Sequence, residues 1–536
     1  MRHLSLVSRL SLPIFSAVCI ASPVLGQSRP LTDGVIQAAV TQAGQTAAPV
    51  RRLSVDEAVK LALEQNLGIQ IERINPQLQD LSISETRASW VPTLTSQFTN
   101  GSTASPVTNV FAGGDEKVTD GRFETVFGLS QLLPTGGNYS LSWNGTRATS
   151  TNFFNSFNPQ LRSNFEFNVT QPLLRNYKVD NVRQQLSINQ KLREISDVNL
   201  RATITQTMRE VRNAYWDLAT AIDNLAAQRQ SLDLARRLLG DNEKRVAIGT
   251  MAPIDIVEAQ SEVARNQESV IIAEAAIKQA EDRLRALILD PNTPDFWTVT
   301  LEPTDAAPFA DQALDVDGAV RRAIAERSDV LQSKNTLAQN DIGINYLRNQ
   351  LLPEVNANAS YGLVGVGGSL LQPLTNFPIG GGALPARSVL SQRGFGSVLG
   401  DVLTNAYPAW TFGVQVGYPL GTSASEANLA KARLQHSQAQ TQLRNLELQI
   451  ATQVRDVGRQ VNTNRQRVAS ARAARELAER RLEAEEKKFA AGIQTSFFVF
   501  QAQRDLAQAR TNEVRAIGDY NKSLVDFEAV QEVPLR

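Results

Sequence analysis

The chain has 536 residues, and its 54 basic and 54 acidic side chains give a formal charge of zero. This balance offers no electrostatic reason to expect a nucleic acid partner. It has one cysteine, Cys19, and two histidines, His3 and His436. Disulfide frameworks and histidine-rich metal clusters are therefore excluded. We expect no cofactor and no catalytic activity.

Residues 1–26 read as a secretory signal peptide. Arg2 and Arg9 lie at its start, a largely apolar stretch runs to Leu25, and cleavage is expected before Gln27. A mature chain from that point lacks Cys19 and carries a formal charge of −2, because two arginines and no carboxylates are removed. No later run of about 18 apolar residues exists, so we expect no membrane-spanning helix.

The rest of the chain repeats one plan twice. Repeat 1 covers residues 53–289 and repeat 2 covers residues 314–530, and each opens with a helix, from Ser54 to Val91 and from Asp315 to Leu352. A Pro-, Ala-, Asp- and Thr-rich tether precedes repeat 1, a similar linker separates the repeats, and a short tail follows. These segments are residues 27–52, 290–313 and 531–536.

After each opening helix the apolar pattern changes to a period of two. Residues 355–363 and 410–420 alternate apolar with small or polar side chains, and residues 93–172 contain four candidate strands where repeat 2 has two. Strands of about ten residues with one apolar face suit a lipid-facing barrel. The same alternation also fits a half-buried strand of an ordinary sandwich.

Proline-free segments from Asp180 to Ile248 and from Ser423 to Ala491 predict helices of about 100 Å each. The second has a narrow coiled-coil seam. Each helix ends at a glycine turn, residues 249–253 and 492–495, and a shorter helix then returns. An opening and a returning helix placed end to end would match one long helix. The seam consists of Ile450, Val454, Val457, Val461, Val468, Ala471, Ala478 and Leu482.

The order of helices, strands and glycine turns, together with several short motifs, resembles the TolC-like outer-membrane efflux protein family over nearly the whole mature chain. Gly492 is followed by a pattern formed by Ala502, Gln503, Leu506 and Ala509. In repeat 1, Gly249, Ala259, Gln260 and Val263 match, but Asn266 replaces the last alanine. The family's prolines before and after its strands are matched by Pro92, Pro353, Pro172 and Pro419.

The resemblance implies a mainly helical fold in which antiparallel coiled-coil hairpins form a periplasmic tunnel beneath a transmembrane β-barrel completed by trimerisation. It implies a homotrimer in the outer-membrane lipid, with a long periplasmic extension. The expected partners are a periplasmic adaptor (membrane fusion) protein and an inner-membrane transporter. The chain would conduct substrates passively to the exterior, in tripartite efflux or type I secretion.

The number of barrel strands stays open at this stage. The family uses four strands per protomer and 12 per trimer, and we expect Tyr139 to Asn144 to form an extracellular loop hairpin outside that barrel. If all four candidate strands of repeat 1 join the wall, each protomer supplies six and the trimer 18.

The resemblance also assigns residues to the hairpin tips. Gly249, Thr250, Gly492 and Ile493 would contact the adaptor, although glycines also commonly end helices for local reasons. The family's aperture carboxylates, placed after the second glycine, are replaced here by Phe498 and Gln501.

The matching places in repeat 1 hold Asp255 and Glu258, three residues apart on one helical face. We expect a ring of Asp255, together with Glu258, near the aperture, and an apolar narrowing at Phe498. An acid early in a helix also favours the helix dipole, which by itself accounts for Glu258.

Two other functions fit parts of the pattern. A periplasmic coiled-coil adaptor would share the long hairpin but should have one hairpin and soluble β domains. A secreted trimeric adhesin would have repeats in one direction and no hairpin glycines. An enzyme with paired carboxylates fits less well, since no pocket-forming α/β pattern is visible.

Overall fold

The computed structural model describes residues 50–107, 117–305, 314–373, 386–421 and 423–532. The predicted signal peptide, most of the tether, and parts of the linker and tail lie outside these residues. None of the described helices is long and apolar enough to cross a membrane.

Repeat 1 begins with a short strand and two helices: β1 (Val50–Leu53), α1 (Val55–Gln65) and α2 (Leu67–Ala88). Four long strands follow: β2 (Thr93–Pro106), β3 (Lys117–Leu132), β4 (Asn138–Ser150) and β5 (Phe157–Pro172). A long helix and a returning helix complete it: α3 (Asn181–Ala247) and α4 (Ile254–Ile288).

A short strand, β6 (Thr300–Pro303), pairs in parallel with β1. Repeat 2 then follows the same plan, with α5 (Val316–Glu326), α6 (Ser328–Gln350), β7 (Glu354–Leu371), β8 (Val389–Arg393), α7 (Phe395–Leu403), β9 (Pro408–Gly417), α8 (Ala424–Ala490) and α9 (Ser496–Ala529). The duplicated, mainly helical architecture predicted from the sequence is confirmed.

Each opening helix is interrupted, so the prediction of one continuous helix is wrong. Asn66 separates α1 from α2 in an extended conformation, φ −65° and ψ 122°, and its side-chain oxygen accepts a hydrogen bond from the Ile69 amide. Its side-chain amide donates to the Leu287 carbonyl oxygen at 3.0 Å. Arg327 interrupts the second helix with a similar extended backbone, ψ 137°, but without a side-chain cap, and its guanidinium donates to the Val530 carbonyl oxygen at 3.3 Å. Contacts with distant parts of the chain thus stabilise both interruptions.

Each long helix packs against shorter helices of its own repeat. Helix α3 packs against α2 and α4, whereas α8 packs against α5, α6 and α9. The predicted seam of α8 is confirmed, because Ile450, Val454, Val461 and Val468 are buried with Tyr520 of α9 in one cluster. Helix α9 also packs against α3, which joins the two repeats.

Six long strands form one antiparallel sheet in the order β2, β3, β4, β5, β7, β9. The short β8 pairs with the far end of β7, and α7 packs over β5 and β7. Strand β4 pairs with β3 and with β5 along most of its length. The expectation that Tyr139 to Asn144 form an extracellular loop hairpin is therefore wrong.

Candidate contact surface and aperture at the hairpin tips

The two hairpin tips have the same backbone geometry. Gly249 has φ +78° and Gly492 has φ +72°, the left-handed conformation that glycine adopts without a Cβ penalty. The amide of Thr250 donates to the Arg245 carbonyl oxygen, and that of Ile493 donates to the Lys488 carbonyl oxygen, both at 2.9 Å. No atom lies within 4 Å of a Cβ built on either glycine, so the requirement is conformational rather than steric.

Contacts between side chains hold the two tips beside each other. The Arg245 guanidinium donates to the Phe489 carbonyl oxygen at 3.1 Å and lies 4.2 Å from the centre of its ring. The Ser496 hydroxyl donates to the Asp255 carboxylate at 3.2 Å. A cation–π contact and two hydrogen bonds therefore connect the first hairpin to the second.

The alanines of the family pattern lie in the core between the hairpins. Ala259 and Ala502 are both fully buried, in one cluster with Leu238 and Phe489. A larger side chain at these positions would force the helices apart, because buried packing leaves little free volume. Packing therefore accounts for these alanines without any direct contact with a partner.

The predicted contact residues are all exposed. Gly249, Thr250 and Gly492 lie on the surface, and the Ile493 side chain is 74 % exposed. Other apolar side chains at the same end are exposed too, and of these the sequence analysis singled out only Phe498, as an aperture residue. We call these and Ile493 the tip patch: Ile248, Ile254, Val257, Ile493, Phe497 and Phe498.

The tip patch could have been found from the sequence. Three or four apolar residues stand within a few positions of each glycine, where a solvated turn would carry polar side chains. Exposed apolar groups that cluster in this way commonly mark an interaction site.

The four aperture candidates have different surroundings. Asp255 is half-buried and bonds across to Ser496 on the second hairpin, whereas Glu258 is exposed. Phe498 is 44 % exposed. The Gln501 amide donates to Asp505 on its own helix at 2.9 Å. Of the two acids, Asp255 is thus held in place by a contact between hairpins.

A buried polar cluster at the other end of α4 was missed. The Glu281 carboxylate is 1 % exposed, pairs with Arg285 at 3.2 Å and accepts a hydrogen bond from the Leu301 amide. Tyr215 is fully buried and donates to the Leu53 carbonyl oxygen at 3.1 Å. Burial raises the pKa of the Tyr215 phenol. This cluster fastens β1 and β6 to the helices.

Residues 58–288 and 319–530 match the sequence family described as outer membrane efflux protein. The chain belongs to that family. The two matched segments fall on the two repeats, so the family resemblance inferred from the sequence is confirmed. No protein of curated function matches this efflux-family chain.

Solved structures of outer-membrane channels have the same fold as this efflux-family chain. OprN aligns with a TM-score of 0.61 and 14 % identity over 89 % of each chain. CmeC of Campylobacter jejuni aligns with a TM-score of 0.61 and 13 % identity over 89 % of this chain and 85 % of its own. MtrE of Neisseria gonorrhoeae, in an open state, aligns with a TM-score of 0.60 and 14 % identity over 90 % and 89 %.

Proposed function

We propose that the protein is a homotrimeric outer-membrane channel that passively conducts substrates received from an inner-membrane transporter and a periplasmic adaptor, in tripartite efflux or type I secretion. The observation that carries the proposal is that the fold has two different ends. One end is an open sheet with an apolar face, and the other is a pair of capped hairpin tips.

The sheet end suits lipid. On one face the strands carry aromatic and aliphatic side chains, and in β9 these are exposed in the single chain: Trp410 at 74 %, Phe412 at 68 % and Val416 at 67 %. Unpaired strand edges are not tolerated in the hydrocarbon layer, so further copies of the chain must cover them. Family membership supports the outer membrane as the location.

The tip end suits a protein partner. The tip patch and the glycine turns are exposed at the tips of both hairpins, and we assign the adaptor contact to Gly249, Thr250, Gly492 and Ile493. The aperture would be lined by Asp255, with Phe498 as an apolar narrowing, while Glu258 and Gln501 lie one helical turn further along. Catalysis plays no part in this proposal.

Membrane fractionation tests the location. The mature chain should sediment with outer membranes and form cation-preferring pores when purified trimers are added to planar lipid bilayers. Release of the protein in soluble form from the periplasm would defeat the channel proposal, as would trimers that leave the bilayer impermeable.

A further inference from the structure

The β3–β4 hairpin spans the full height of the sheet. Its turn lies at the helix end, where the Leu133 amide donates to the Gly137 carbonyl oxygen at 2.7 Å. A Cβ on Gly136 would lie 2.4 Å from the Asn176 carbonyl oxygen, just before α3 begins. The chain therefore turns from β3 into β4 at the end of the sheet that adjoins the helices.

Like the rest of the sheet, the β3–β4 hairpin has one apolar face and one polar face. Phe127 of β3 stacks on Trp143 of β4 at 5.8 Å and meets Phe98 of β2 edge-on at 5.7 Å. One register row crosses all six strands on this apolar face. The row is Leu94, Leu129, Leu141, Phe167, Tyr361 and Trp410.

The opposite face of the hairpin is polar. Glu124 of β3 accepts hydrogen bonds from Arg122 at 3.1 Å and from Asn144 of β4 at 2.6 Å. Thr146 donates to Asn144 at 2.8 Å. An apolar outer face and a polar inner face within one strand are characteristic of a barrel wall around an aqueous lumen.

Two strand edges lack a partner within the described residues. Strand β2 pairs with β3 and β9 pairs with β7, and the other edge of each is open. Every neighbouring pair of the six is antiparallel, so β9 runs opposite to β2. A second copy can therefore place its β2 beside β9 and continue the antiparallel pattern.

We propose that β9 of each copy pairs with β2 of the next, so that three copies close a barrel of 18 strands. The number of copies rests on the proposed function, whereas the number of strands per copy rests on the sheet. With strands about 4.8 Å apart and tilted by about 40°, the wall would be about 36 Å across, against about 24 Å for 12 strands.

A wall of that size leaves an aqueous lumen too wide for side chains to fill. The membrane segment would then impose little restriction on large substrates, and the narrowest part of the channel would lie at the hairpin tips. Chains with a 12-stranded exit would lack this width at the membrane.

Spin labels on β4 test whether the hairpin lies in the wall. Cysteine variants of purified trimers in liposomes, Leu141→Cys and Ser142→Cys, are labelled and exposed to oxygen and to a water-soluble nickel complex. We expect the label at Leu141 to be more accessible to oxygen and the label at Ser142 to be more accessible to the nickel complex. The mature chain contains no competing cysteine, since Cys19 lies in the predicted signal peptide.

The matched control is the pair Leu363→Cys and Gly362→Cys on β7, which belongs to the wall with either strand number. If label accessibility alternates between oxygen and nickel on β7 but not on β4, the 18-stranded barrel is wrong and the channel proposal still stands. Loss of alternation on both strands would overturn the channel proposal itself.

Disulfide cross-linking tests the contact between copies. Gln97→Cys on β2 is combined in turn with Thr411→Cys, Gly413→Cys and Gln415→Cys on β9, all on the polar face. Oxidation should give covalent products that end at the trimer for the best-matched pair and its neighbours. Cross-links confined to single chains, or the absence of products for all three pairs, would contradict pairing between β9 and β2.

Discussion

The tip glycines end their helices and belong to the proposed adaptor contact, and substitution can separate these two roles. Gly249→Ala should cost about 1 kcal/mol at the tip, because alanine resists the left-handed conformation. Gly249→Asn should cost less, because asparagine tolerates it. Trypsin cleavage after Arg245 should become about fivefold faster in the alanine variant and change little in the asparagine variant.

Cleavage after Lys488, at the unchanged second tip, provides the internal control. If both variants of Gly249 are cleaved at the wild-type rate, the capping argument fails. If Gly249→Asn keeps the cap intact yet abolishes export, the bare glycine backbone itself contacts the adaptor.

Asp255 is the other residue at the tips whose role can be measured. In reconstituted trimers, Asp255→Asn should lower the preference for cations severalfold, because it would neutralise the proposed ring of three carboxylates. Ser496→Ala is the matched control, since it removes the hydrogen bond to Asp255 and keeps the charge. Unchanged ion selectivity in Asp255→Asn would exclude Asp255 from the aperture.

At the scale of elements, an ion-pair network joins α8 to α9. Glu479 accepts hydrogen bonds from Arg475 of its own helix at 2.8 Å and from Arg510 of α9 at 3.0 Å. Burial opposes ionisation, but these arginines leave the pKa of Glu479 below its usual value. The stabilisation is therefore present above the ordinary carboxyl pKa and is lost as the pH falls through the lowered value.

We expect Glu479→Gln to lower the thermal unfolding midpoint at pH 7.5, with a difference from wild type that shrinks at pH 4. The side chain is about a third exposed, so solvent screening keeps the effect below about 1 kcal/mol. Glu483→Gln removes a pair with Lys487 that is largely exposed, and should have little effect at either pH. A difference for Glu479→Gln that is independent of pH would contradict an electrostatic origin.

Local signals predicted the long helices and their ends. Proline-free periodicity and a glycine at each tip act within a few residues, so the sequence alone was enough for α3, α8 and both turns. The interruptions at Asn66 and Arg327 were missed because their stabilising contacts are distant. Asn66 bonds to Leu287, and the Arg327 guanidinium donates to the Val530 carbonyl oxygen at 3.3 Å.

The β elements were predicted less completely for the same reason. Alternation located the long strands, but whether β4 joins the sheet depends on its pairing with β3 and β5. The four-residue strands β1 and β6 carry too little pattern to be predicted, and each forms because the other is beside it. At the tips, sequence located the aperture candidates but could not reveal the contact between Asp255 and Ser496.

At the scale of the whole molecule, the contact between α3 and α9 holds the two repeats together. The Lys522 ammonium pairs with Asp217 at 2.8 Å, and Arg209 pairs with Asp526 at 2.6 Å. One turn of α9 beyond the Lys522–Asp217 pair, Gly518 lets the helices approach closely, since a Cβ there would lie 2.4 Å from the Thr220 hydroxyl oxygen. That hydroxyl donates to the Trp216 carbonyl oxygen at 2.6 Å.

Gly518→Ala should therefore destabilise the protein by about 1 to 3 kcal/mol through overpacking. Gly343→Ala is the matched control in α6, where a new Cβ has open space, and it should stabilise by about 0.5 to 1 kcal/mol. The thermal unfolding midpoint measures both effects. Thr220→Ala should restore part of the loss in the double variant, and a neutral Gly518→Ala would show that the helices can separate at no cost.

The pairing of β1 with β6 has a mechanical consequence for the tips. This pairing, which we call the clasp, joins the start of repeat 1 to the segment that follows α4. The Thr304 amide extends it by donating to the Leu53 carbonyl oxygen at 3.0 Å. Helix α4 extends about 52 Å from this clasp to the tip of the first hairpin, so any tilt of the helix at the clasp would be amplified at the tip. A tilt of about 6° at the clasp would displace the tip by about 5.4 Å, the rise of one helical turn.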